Sequence, residues 1–148
     1  MRSLHIFTLA KALLLSSCAS GQRQQNAGDV FISGEKTMSM GRGVICGITT
    51  VNGKDVTSMG VPNFDLYTAY GLLRLEGECT KVYESSSAPR EKFKLTFNEF
   101  NAKPGEKFTI TGKIAGDAGV KPNVPLTAFI RASDGGIAAV AEGQKVQN

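Results

Sequence analysis

Apolar and polar residues alternate with period two, broken at short intervals by turn-formers, and this pattern most restricts the folds open to the chain. Val44, Cys46, Ile48 and Thr50 alternate with Ile45, Gly47, Thr49 and Val51. Successive side chains of a strand point to opposite faces, so this spacing predicts strands with one buried side. Asn52-Gly53 follows, a pair that tolerates the positive φ of a two-residue hairpin loop, and Lys54 to Ser58 is the predicted return strand. Phe64, Leu66, Thr68 and Tyr70 alternate next, followed by Leu73 and Leu75. Glu76-Gly77-Glu78 reads as a turn and Cys79 to Glu84 as another strand. After a Ser-rich loop at 85–90, Phe93, Leu95 and Phe97 point one way and Lys92, Lys94 and Thr96 the other. Lys103-Pro104-Gly105-Glu106 forms a turn, Phe108, Ile110 and Ile114 share a face, and residues 116–123 are a Gly/Pro loop. Val124 to Ala132 and Ile137 to Ala141 pair across Asp134-Gly135-Gly136. No helical periodicity competes. Roughly eight short strands at this spacing predict an all-β chain, a small antiparallel β-sandwich or open barrel.

The N-terminus differs in kind. Arg2, an apolar run from Leu4 to Leu15 and small residues before Cys18 read as a bacterial export signal. The run is shorter than the ~20 residues of a spanning helix. Lys11 interrupts it, at roughly 2.5–3.5 kcal/mol for a lysine in mid-membrane. Both features favour a cleaved signal over a retained anchor. Leu15-Ser16-Ser17-Cys18 resembles the lipobox of bacterial lipoproteins, which implies a mature chain beginning at a lipidated Cys18. In that pattern Ala19 after the cysteine implies sorting to the outer membrane, facing the periplasm or the cell surface. The alternatives are cleavage after Ala19 or Gly21, which discards Cys18 and yields a soluble periplasmic or secreted product, and a misread N-terminus. The resulting division is a signal at 1–17, a lipidated cysteine and flexible tether at 18–28, and a β-domain at 29–148. Residues 19–28 contain no apolar side chain larger than alanine, so they lack the means to bury surface.

Export changes what the composition means. Removing Arg2 and Lys11 lowers the formal net charge from +4 to +2, too small for a nucleic-acid footprint. The single histidine, His5, leaves with the signal. Ser-His and Cys-His nucleophilic sites and histidine-ligated metals are thereby excluded from the mature chain. Cys46 and Cys79 remain, and in an oxidising compartment the pair reads as a disulfide. Two buried free thiols are the alternative. A redox dithiol lacks the C-x-x-C spacing.

The order Cys46-x-Ile48-x-x-Val51-Asn52-Gly53-Lys54, then Leu73-x-Leu75-x-Gly77-x-Cys79, resembles small bacterial cell-envelope lipoproteins with PEGA-like surface β-domains. Ala102-Lys103-Pro104-Gly105 through Ile110, and Ala128-Phe129-Ile130 with Asp134 to Ile137, resemble later hairpins of that group. The likeness runs over residues 43–141 and departs at Glu76-Gly77-Glu78, where the group carries a P-G-x-H turn. It implies a small β-sandwich of the cell envelope with no shared catalytic set.

Ser33-Gly34-Glu35-Lys36 spells S-x-x-K, but the K-T-G partner of such serine acyl-enzymes is absent. Met38 and Met40 offer two thioethers for a soft metal, although filling a core edge is the better reading. Lys92, Lys94, Lys107 and Lys113 form a possible partner or anionic-lipid surface; the competing explanation is that they keep edge strands soluble. Phe64, Tyr67 and Tyr70 are either core or partner anchors. Glu76 and Glu78 flank a glycine as solvated acids rather than a hydrolytic pair. The expectation is a non-enzymatic protein without metal, cofactor or nucleic acid, tethered to the membrane by lipid and acting as an accessory that binds another envelope protein. The alternative is a soluble ligand-binding or enzyme-inhibitor module reaching out with residues 85–90.

Overall fold

The computed structural model describes residues 26–39, 42–82, 90–114 and 125–147, and all regular structure among them is β. In chain order the strands are β1 (Val30–Gly34), β2 (Lys36–Ser39), β3 (Arg42–Val51), β4 (Lys54–Asp55), β5 (Asp65–Thr68), β6 (Gly71–Leu73) and β7 (Leu75–Val82). They continue as β8 (Glu91–Thr96), β9 (Phe100–Ala102), β10 (Lys107–Ile114), β11 (Leu126–Ala132), β12 (Ile137–Glu142) and β13 (Gln144–Lys145). The described residues form thirteen strands rather than the eight expected: β1 and β2 precede the first strand traced in the sequence, and β6, β9 and β13, of two or three residues each, are too short to show a period.

Two sheets carry the fold. One runs β12-β11-β10-β1-β5; the other runs β13-β8-β7-β3-β2, with β4 also on β3. They pack face to face through β3 against β1 and β10, and neither closes into a barrel. The chain changes sheets from β1 to β2 on one flank and from β12 to β13 on the other. Alternation in the sequence becomes alternation of burial: Leu75, Gly77, Cys79 and Lys81 are buried along β7, and Leu126, Ala128 and Ile130 along β11. Phe93, Leu95 and Phe97 point inward while Lys92, Lys94 and Thr96 are exposed. The expected hairpin at Asn52-Gly53 forms, with φ of 49° and 79°.

Two features depart from the sequence reading. Glu76-Gly77-Glu78 is no turn but the interior of β7. Gly77 is there for space rather than for a bend, because a Cβ would stand 2.7 Å from the Gly47 carbonyl oxygen of β3. The second departure is one parallel pairing in a set expected to be antiparallel: Phe31 lies opposite Lys107 and Gly34 opposite Ile110. Strands β2 to β9 separate β1 from β10 in the chain, so no hairpin fixes their relative direction.

Cys46 and Cys79 are register partners on β3 and β7, joined by a disulfide that is wholly buried. The facing sheet makes room with Gly112, where a Cβ would come within 2.8 Å of Cys46 Sγ. At one end, hereafter proximal, the chain enters β1 and the small β6-β9 sheet covers the core with Leu73, Phe100 and Ala102. The distal end holds Val82, Glu91 and Ile114.

Candidate functional site

The most unusual chemistry of the described core lies at the distal end. Lys81 follows Cys79 on the inward face of β7 and is completely buried, and Glu91 lies opposite it on β8, only 6% exposed. Lys81 Nζ stands 3.8 Å from Glu91 Oε2 and 4.7 Å from the centre of the Phe93 ring. Lys145 on β13 reaches the other oxygen of the same carboxylate from the surface. The Phe93 ring face adds a cation–π contact to the Lys81 ammonium. Burial lowers the Lys81 pKa below its ordinary 10.5; Glu91 opposes that shift and Lys145 reinforces it. The trio joins β7, β8 and β13. Its two ion pairs tie the edge strand β13 and the inner strand β7 to β8. Period two counted from Cys79 and Phe93 points both residues inward, a signal the sequence reading passed over.

The four lysines proposed as one surface do not form one. Lys92 and Lys94 are exposed on the outer side of the β8 sheet, whereas Lys107 and Lys113 lie on β10 in the opposite sheet. Lys92 is 3.4 Å from Glu78 across to β7. Beside it, Thr49, Glu76, Glu78, Lys94, Thr96 and Gln144 line an open depression of about 330 Å³. Two glutamates and one lysine line it, so it presents no single sign of charge.

The aromatic residues divide. Phe64 and Tyr67 are half-buried, and Tyr67 packs on Phe31 with ring centres 4.8 Å apart. Tyr70 is exposed. Ser33 shares a hydrogen bond with Thr109, 3.2 Å between hydroxyl oxygens, so its contacts on this face are those of an ordinary strand serine. Arg90 is exposed, while residues 83–89, Cys18 and the tether up to residue 25, and the side chains of Lys36, Met38 and Met40 lie outside the described residues. No three His, Cys, Asp or Glu among the described residues gather closely enough to hold a metal ion.

One feature carried no sequence signal. Ser58 and Val61 exchange backbone hydrogen bonds around Met59-Gly60, making a second two-residue hairpin on the flank of β3. Met59 has φ of 50° and is 100% exposed, and Val61 is 55% exposed. A bulky residue at positive φ is strained, and such strain collects where a protein makes contacts. Comparison with known protein families, curated proteins and solved structures gives no match to this chain.

Proposed function

We propose that this protein is exported to the bacterial cell envelope, lipidated at Cys18 and held on the outer membrane as a non-enzymatic accessory to another envelope protein. The observation that carries the reading is the buried Cys46–Cys79 disulfide inside the core of a chain that opens with a lipobox-like segment. A cytosolic protein of this size has little use for such a bond, whereas an envelope protein forms it readily. The absence of histidine after residue 5 and the structural setting of Lys81 and Glu91 support a binding rather than a catalytic role. The exposed Met59–Val61 hairpin supplies an apolar contact for the partner.

Fractionation of wild type against Cys18→Ser tests the anchor. The wild type is expected in the membrane fraction, and the variant is expected in the soluble envelope fraction or as an unprocessed precursor. Identical distribution of the two would refute lipidation at Cys18.

A further inference from the structure

The proximal end of the sandwich carries more exposed apolar surface than a monomeric end needs. Tyr70 is 57% exposed, Leu72 60% and Ile137 53%. Strand registers bring them to one end: Val30 pairs with Thr68, Phe31 with Lys107, Phe108 with Ala132, and Arg131 with Ile137. The β6-β9 sheet, which presents Leu72, belongs to the same end, since β9 leads through Pro104-Gly105 into β10. The chain arrives here as well. Gly28 accepts a hydrogen bond from the Gly105 N–H, and a Cβ on Gly28 would lie 3.5 Å from the Tyr70 ring.

We infer that this end is seated on the lipid bilayer, with Tyr70, Leu72 and Ile137 entering the headgroup region. The inference rests on the proposed lipidation of Cys18. From Cys18 to Asn26 even a fully extended chain spans less than about 30 Å, no more than the length of β3. An anchor that short keeps the proximal end nearest the membrane. Amphipathic rings and aliphatic side chains suit that boundary. Charged side chains share this end: Arg74 pairs with Glu99, and Lys103, Lys107 and Asp134 are exposed.

The chain has no tryptophan, so an introduced one reports from a single place. The full-length gene is expressed in bacteria with Leu72→Trp, Ile137→Trp or, at the exposed distal side, Gln147→Trp. Each mature protein is reconstituted into phosphatidylethanolamine/phosphatidylglycerol vesicles containing brominated lipid. The expected result is at least twofold stronger quenching at positions 72 and 137 than at 147, with blue-shifted emission. Vesicle-bound protein whose three tryptophans are quenched equally weakly overturns the seating while leaving the anchor intact. Protein that carries no lipid and does not float with vesicles overturns both. Two proximal positions are used so that a fold defect in one variant leaves the other to decide.

Discussion

Lys81 and Glu91 show how unequal two halves of one ion pair are. Removing the carboxylate with Glu91→Ala leaves a desolvated ammonium without its neighbouring anion and is expected to cost on the order of 3 kcal/mol in urea unfolding. Lys81→Met replaces the ammonium with a side chain suited to the core and leaves Glu91 with Lys145; little loss or a gain is expected. The pH dependence has a definite sign. The Lys81 pKa is depressed in the folded protein, so the unfolded chain binds more protons between that value and 10.5. The penalty of burying the charge is thus full below the depressed value and fades as pH rises from there to 10.5. Wild type relative to Lys81→Met should therefore gain stability on going from neutral to alkaline pH. A constant difference between them would contradict the assignment.

At the scale of elements, the chain builds two tight hairpins on nearly the same dihedrals from different residues. Asn52 and Gly53 have φ of 49° and 79°, Met59 and Gly60 50° and 77°. Asn52 suits its position twice over: it tolerates positive φ, and its carboxamide oxygen accepts from the Arg74 N–H at 2.8 Å. Met59 has no such compensation in its backbone geometry. Met59→Asn is expected to stabilise the protein by about 1 kcal/mol, raising the melting temperature by roughly 3–6 °C, while weakening capture of the proposed envelope partner. An unchanged or lower melting temperature would remove the argument that this tip is kept for contact. The same comparison explains what the sequence made legible. Asn-Gly announced its turn, and Phe93, Leu95 and Phe97 announced their face, because both signals are local. Met59-Gly60 has no local signature, since a methionine is not expected at positive φ. Gly77 misled for a related reason: its purpose is the Gly47 carbonyl on a neighbouring strand, which a linear reading does not see. Leu72 and Ile137 were likewise invisible as a pair, because only the registers of β6, β9, β11 and β12 bring them to one end.

At the scale of the whole molecule, the described residues form a two-sheet sandwich with a small third sheet at one end, fastened by the Cys46–Cys79 disulfide. The bond closes a loop of 33 residues in sequence, so its loss through Cys46→Ala/Cys79→Ala is expected to cost about 3–4 kcal/mol in chemical unfolding. A double variant as stable as wild type would show that the core holds without it. The all-β class and the cysteine pairing were readable from periodicity and redox logic. The parallel β1-β10 pairing and the separation of the lysines onto two sheets were not, because both depend on which strands become neighbours in space. The proposed attachment of lipid to Cys18 would set where the domain works and which end meets the membrane. Intact-mass analysis of protein extracted from the membrane fraction addresses it directly. The expected mass is that of a chain starting at Cys18, increased by a diacylglyceryl group and an amide-linked acyl chain; a mass matching the unprocessed chain from Met1, or a chain starting beyond Cys18, would contradict it.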